Sequence, residues 1–242
     1  GTTLHGLQPT DKRFVLEPTA YYHREGPIGE LTTTLHERRG AVRAGVVGLG
    51  IGAMACHQVA GEAWDFYEID PLVVYFAQES GFFSYLRDCL GERRSGLGDA
   101  RQTLAASYAL DYDFLLIDAF SSDAIPIHLI TLEAVKLYIS TLKQDGVLAI
   151  HISNRYLDLV PILTAIAKTL GLQGKWIYLR NEAPEGEDQY APFRSPVMVA
   201  ILGQGSTLDE LELPSEWLPM DTDASKSTPW TDERSSVLEA FK

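Results

Sequence analysis

Short runs of β-branched and aromatic residues recur along this chain, separated by segments with helical patterning. Val42–Gly48, Trp64–Ile69, Arg93–Leu97, Asp113–Asp118, Val147–Ser153, Lys175–Arg180 and Val197–Leu202 read as strands. Ile130–Leu142 places Val135, Tyr138, Ile139 and Leu142 on one helical face, and Leu157–Leu170 stops at Gly171. Asp145-Gly146 marks a turn before the fifth strand. Such alternation demands a parallel sheet covered on both faces, because parallel neighbours need crossovers long enough to hold a helix. The last two strands are expected to pair as a hairpin across Glu182–Pro196.

Residues 1–40 differ in texture. Thr2-Thr3-Leu4, Thr19–Tyr22 and Leu31–Leu35, set apart by Gly and Pro, read as a small N-terminal β-hairpin region. After Gly203 comes an acidic tail whose Trp217 and Trp230 read as packing residues. The fold class is therefore α/β: a Rossmann-like, methyltransferase-type seven-stranded sheet preceded by that hairpin region. Three divisions are expected: 1–40 as strands, 41–203 as the catalytic domain, and 204–242 as a tail packing on it.

Composition narrows the function. Hydrophobic residues at 45% and charged residues at 22% fit a globular chain with a core and exclude a disordered one. Twenty Lys and Arg against 33 Asp and Glu give a net charge of −13, which argues against nucleic acid or an anionic membrane surface as partner. Cys56 and Cys89 make neither a disulfide framework nor a metal-ligand spacing, so a buried thiol in a reducing, cytoplasmic setting is the default. Ala44–Cys56, the longest apolar stretch, is shorter than the roughly 20 residues a membrane helix needs. His5, His23, His36, His57, His128 and His151 show no zinc spacing, and no metal is expected. Ser121-Ser122 lacks the Gly-x-Ser-x-Gly elbow, and no Walker motif occurs.

The strongest local signal is Val46-Val47-Gly48-Leu49-Gly50-Ile51-Gly52-Ala53, where a strand passes into a helix. Glycines there let the backbone turn tightly and approach a ligand closely. A Gly-rich packing turn has the same wording, and Gly48-x-Gly50-x-x-Ala53 also satisfies the dinucleotide pattern. The next strand ends in Glu68-Ile69-Asp70, an acid placed to accept both ribose hydroxyls of a nucleoside. Gly98-Asp99-Ala100 follows the third strand and sets a carboxylate where an adenine amino group can donate. The fourth strand runs through Asp118 into Ala119-Phe120-Ser121-Ser122-Asp123-Ala124-Ile125-Pro126. Two carboxylates on that loop lie at the sheet edge where such folds bind ligands; helix and turn caps are the alternative uses of Asp118 and Asp123.

In this order the motifs resemble the spermidine synthase family, the polyamine aminopropyltransferases, over roughly residues 1–205. Leu4-His5-Gly6-Leu7-Gln8 is similar to its Asp-Gly-x-x-Gln element, and Tyr22-His23 to its Tyr-His-Glu element. The resemblance implies that Gln8 and His23 belong to the cofactor-binding set with Gly48, Gly50, Gly52, Glu68, Asp99 and Ala100. It implies that Tyr22 lines an amine channel, that Asp123 assists the attacking amine and that Asp118 positions the ammonium. The implied co-substrate is decarboxylated S-adenosylmethionine or S-adenosylmethionine, with methylthioadenosine released from the former. Ile51 stands where the family has an ammonium-gripping Asp, and Arg24 where it has Glu. Both exchanges disfavour a purely cationic donor tail, so methyl transfer from S-adenosylmethionine and non-catalytic polyamine or nucleoside sensing stay open. The wording around His5-Gly6-Leu7-Gln8 and Trp230-Thr231-Asp232 is most similar to synthase-like domains fused to membrane transporters, which fits a chain starting without Met. Expected partners are a small-molecule amine, a membrane domain outside this chain and a second copy in a homodimer, with no nucleic acid.

Overall fold

The computed structural model describes residues 6–89, 92–107, 110–120, 125–180, 195–223 and 225–241. In chain order the elements are α1 (Pro27–Arg39), β1 (Arg43–Val47), β2 (Ala63–Glu68), α2 (Pro71–Gln78), α3 (Tyr85–Cys89), β3 (Glu92–Leu97), α4 (Ala100–Ala106) and β4 (Tyr112–Ile117). There follow α5 (Leu132–Ser140), β5 (Leu142–His151), α6 (Val160–Leu170), β6 (Gln173–Leu179), β7 (Val197–Gly203), α7 (Thr207–Glu210) and β8 (Leu218–Pro219).

These strands form one sheet in the order β3-β2-β1-β4-β5-β7-β6-β8. The first five are mutually parallel, and β7 runs antiparallel to both β5 and β6. The α/β class and the methyltransferase-type sheet are thus as expected, with β8 as a two-residue addition at one edge. The strand order reverses between β1 and β4. Connections leave their carboxyl ends to opposite sides there and open the crevice in which such sheets bind ligands.

Burial explains why the central strands were legible. All six residues of β4 are buried, and side chains alternate between two cores, one on each face. Val46, Phe114 and Leu116 pack with Ile28, Leu31 and Leu35 of α1 and with Trp217. Val47, Leu115 and Ile117 pack with Val135 and Tyr138 of α5, Ile162 and Ile166 of α6, and Trp230. Each fully buried aliphatic side chain contributes roughly 1.5–3 kcal/mol.

Three expectations need correction. Leu31–Leu35 lies inside α1, not in a strand. The β-branched Thr32-Thr33-Thr34 suggests a strand, but Ile28, Leu31, Thr32 and Leu35 repeat at helical spacing and are the buried face, with Pro27 at the first turn. Thr19–Tyr22 forms a turn, with the Tyr22 N–H donating to the Thr19 carbonyl at 3.1 Å, and only Ala20 makes a bridge. Thr2-Thr3-Leu4 lies outside the described residues. Secondly, Asp145-Gly146 falls within β5, at its irregular start: the pairing shifts register between Tyr112/Leu142 and Phe114/Val147.

The third correction concerns the cysteines. Cys56 and Cys89 form a disulfide across 33 positions, with Cα atoms 4.8 Å apart. The sequence hides this pair because the contact is tertiary: the 3₁₀ turn Ala53–His57 packs on α3, with Leu86 against Gly52. Disulfides persist in oxidising surroundings, so the cysteines lend no support to a reducing compartment. Among the described residues no helix is long and apolar enough to cross a membrane.

Candidate functional site

The exit of β1 is pressed against the exit of β4. The Gly48 N–H donates to the Tyr67 carbonyl at 2.8 Å, and the Asp118 N–H donates to the Val47 carbonyl at 2.8 Å. A Cβ at Gly48 would lie 2.3 Å from the Asp118 carbonyl oxygen, and the residue has φ 97°, so both space and conformation demand glycine. Two residues on, Gly50 faces open space, with nothing within 4 Å of where a Cβ would stand. This is a cradle with room above it. Gly52 serves the scaffold instead, seating the loop on Leu86 of α3 beside the disulfide.

Glu68 ends β2 and reaches back to this loop. Its Oε2 accepts the Leu49 N–H at 2.9 Å, while Oε1 accepts the N–H groups of Ile69 at 2.8 Å and Asp70 at 3.0 Å. A carboxylate offers about four lone-pair positions. Three are in use, so one position is open to a further donor, and a second donor requires exchange of a backbone partner. Asp99 caps α4, its Oδ1 accepting the Gln102 N–H at 2.9 Å, which leaves Oδ2 turned toward His128 Nε2 at 3.9 Å. Ala100, the first residue of α4, is buried, whereas Ile69 and Leu97 stand exposed at this edge. The ends of β1, β2 and β3 thus present an open glycine turn, two carboxylates and two apolar side chains.

Asp118 occupies the carboxyl end of β4, and its carboxylate is almost wholly buried. Oδ2 accepts a hydrogen bond from the Tyr22 hydroxyl. Oδ1 accepts from His151 Nδ1 at 2.6 Å, and His151 Nε2 lies 2.7 Å from the Ser153 hydroxyl. Ser153 Oγ also accepts the Met198 N–H at 2.8 Å. A carboxylate only accepts, so Nδ1 carries the imidazole proton; the serine then gives its own proton to Nε2. Tyr21 and Phe120 flank the ring, with centroids 4.4 and 4.6 Å from it. Burial, and next the charge of Asp118, push the phenols of Tyr21 and Tyr22 well above their ordinary range, so both stay protonated donors.

The structure therefore brings Tyr22, Asp118, Gly48, Gly50 and Glu68 to one edge, with Asp99 and Ala100 beside them. Asp123 lies outside the described residues. Gln8 sits near α3, where its amide is engaged: it donates to the Val15 carbonyl at 2.7 Å and to Ser84 Oγ at 3.0 Å, and accepts the Ser84 N–H at 2.8 Å. His23 is buried, with its ring against Gly26. Arg24 is held by Glu17 at 3.1 Å and by the Cys56 carbonyl at 3.0 Å. Ile51 is half-buried and packs on Gly6. His151 and Ser153 are the members that sequence reading missed. The available signal was their place at the end of the strand next to β4, since Ile117 pairs with Ile150 and so sets Asp118 beside His151. Among the described residues there is no cluster of three or more His, Cys, Asp or Glu side chains that could hold a metal ion.

No family model matches the chain. A polyamine aminopropyltransferase of Vibrio vulnificus (strain CMCP6) is 34% identical over 108 residues, which cover 43% of this chain and 35% of that protein. The chain thus spans about a third of the length of the curated relative it matches. Among solved structures, a probable spermidine synthase from Corynebacterium glutamicum ATCC 13032 superposes with a TM-score of 0.61 at 12% identity, covering 86% of this chain and 80% of that one. Spermidine synthase from Thermotoga maritima gives 0.51 at 15% identity, covering 88% and 68%. The O-methyltransferase TomG from Streptomyces achromogenes, in complex with SAM, gives 0.50 at 15%, covering 82% and 92%. What this chain shares with these structures is the fold.

Proposed function

We propose that this chain is a transferase of alkyl groups of the aminopropyltransferase type, moving an aminopropyl group from decarboxylated S-adenosylmethionine to an amine. The observation that carries this reading is the buried Tyr22–Asp118 pair set directly against the Gly48 cradle. It is supported by the name of the Vibrio relative and by the order of Gln8, Tyr22, Glu68, Asp99 and Asp118 along the chain. When bound, the donor supplies an electrophilic carbon beside its sulfonium and leaves as neutral methylthioadenosine.

The chain's own residues have three tasks. The Gly48–Gly52 loop, Glu68 and Asp99 hold the nucleoside. Tyr22, with Asp118 behind it, forms the polar wall along which the amine lies. The third task is to free a lone pair: an alkyl ammonium has a pKa near 10.4, so about one molecule in 10³ is neutral at pH 7. The C–N bond forms as the C–S bond breaks, and the surplus proton must leave; Asp123 is assigned to this step as base or orienter. No covalent intermediate is needed, so alignment contributes much of the acceleration.

Methyl transfer from S-adenosylmethionine is the second reading, favoured by Ile51, a hydrocarbon at the position where the resembled family carries an ammonium-gripping Asp. The deciding experiment incubates the protein with each sulfonium and a panel of amines and identifies products by mass. Methylthioadenosine with an aminopropylated amine is expected. S-adenosylhomocysteine with a methylated product would replace the reading by its rival, and binding of both donors without product would defeat both.

A further inference from the structure

We propose that His151 is the proton acceptor of this site, reached through the Ser153 hydroxyl and held in its working tautomer by Asp118. The inference rests on the alkyl-transfer reading and adds a group to it. Four observations carry it. The Ser153–His151–Asp118 chain is continuous, at 2.7 and 2.6 Å, and ends at the same Asp118 that receives the Tyr22 hydroxyl. Asp118 is almost wholly buried and accepts from Tyr22 on one oxygen and from His151 on the other, so it serves as a positioning residue for the imidazole. Tyr21 and Phe120 cover the ring, and Nε2 is engaged by Ser153. Ser153 is only half-buried; its oxygen accepts the Met198 N–H and donates to Nε2, which leaves one lone pair for an acceptor N–H.

The step balances without any further reactant. One N–H proton of the acceptor ammonium passes to Ser153 Oγ while the serine's own proton passes to His151 Nε2. The serine is unchanged and the imidazole becomes an imidazolium facing the Asp118 carboxylate. The exposed nitrogen lone pair forms the C–N bond, and the C–S pair leaves on sulfur. As a class, imidazoles are more basic than carboxylates, so an imidazole suits the relief of an alkyl ammonium better. Among the described residues, the groups facing His151 are Asp118 and Phe120 from beyond β4, Tyr21 from the segment before α1 and Ser153 on its own strand end, with Tyr22 bonded to Asp118 behind them. Both phenols stay protonated, so neither competes as base. Asp123 is left the task of orienting the ammonium.

The test is single-turnover product formation at saturating acceptor from pH 6 to 10, in the intact chain and in His151→Gln, Ser153→Ala and Ser153→Thr. Thermal midpoints with methylthioadenosine check that each variant folds and binds. The intact chain should be the fastest of the four at pH 7. Ser153→Ala and His151→Gln should lose about 10²–10⁴-fold at pH 7 and recover steadily toward pH 10, as more amine arrives deprotonated. Ser153→Thr, which keeps the hydroxyl, should retain most of the rate. Product formed at near-normal rate by folded Ser153→Ala, or a loss that does not recover with pH, overturns the role of His151 while leaving alkyl transfer intact. Absence of product from the intact chain with either sulfonium overturns the alkyl-transfer reading and this inference together.

Discussion

His57 shows how a single side chain couples the N-terminal segment to pH. It is fully buried behind the glycine loop, where Nε2 donates to the Tyr22 carbonyl at 2.6 Å. Burial, only partly offset by that hydrogen bond, pushes its pKa down from 6.5 to about 4. The unfolded chain therefore takes up a proton that the native one refuses, and stability is lost as pH falls from about 6.5 toward 4. The full effect is roughly 3 kcal/mol. Urea unfolding of wild type and His57→Gln at pH 7 and 4.5 should show the wild type losing more stability between the two; parallel losses would remove His57 as the cause. Ile51 carries a second expectation at this scale. Ile51→Asp should shift affinity toward the decarboxylated donor relative to S-adenosylmethionine by roughly 1–3 kcal/mol, the size of a charged hydrogen bond. Titration calorimetry with both donors on both proteins gives the ratio, and an unchanged ratio would mean that residue 51 does not face the donor tail.

Among the elements, the central strands and α6 are legible because extensive burial leaves a plain mark in the sequence. Val197–Leu202 was read within one residue of β7, and Gly171 adopts the left-handed cap expected of a helix stop. α1 was not legible as a helix, because local β-branching at Thr32-Thr33-Thr34 spoke louder than four buried positions at helical spacing. Within the site, Gly48, Glu68, Asp99, Asp118 and Tyr22 each sit in a short motif. His151 and Ser153 acquire meaning only from the register of two adjacent strands, which no linear pattern states. The disulfide is hidden for the same reason. By closing a loop across 33 positions it should stabilise the fold by roughly 3–4 kcal/mol through the unfolded chain. Dithiothreitol should lower the urea midpoint of the wild type but leave that of the Cys56→Ser, Cys89→Ser double variant unmoved. Equal midpoints for wild type with and without reductant would contradict a structural role for this bond.

Over the whole molecule, the tail fastens the helices whose N-termini border the site. The Leu132 N–H donates to the Trp230 carbonyl at 2.7 Å, and Asp232 binds Arg101 at 2.7 Å and accepts from Thr131 Oγ1 at 2.7 Å. Arg101 lowers the Asp232 carboxyl to about 2. Trp230 itself is buried in the core beneath α5 and α6. Its loss should therefore outweigh that of the half-exposed ion pair: Trp230→Ala about 3–5 kcal/mol and Asp232→Ala about 1 kcal/mol or less, by urea unfolding. A Trp230→Ala cost below that of Asp232→Ala would mean that the tail is held by charge and not by packing.

A nucleoside held across the carboxyl ends of β1, β2 and β3 is what every chemical reading of this site requires. Its measurement is the thermal midpoint of the protein with methylthioadenosine, with NAD, and with methylthioadenosine on Glu68→Ala. A ligand that binds only the native state raises the midpoint by mass action. Methylthioadenosine should raise it, NAD alone should not do so comparably, and Glu68→Ala should lose most of the shift because the ribose has lost its acceptor. An equal shift with NAD, or an undiminished shift in Glu68→Ala, would contradict the placement of the nucleoside on Glu68.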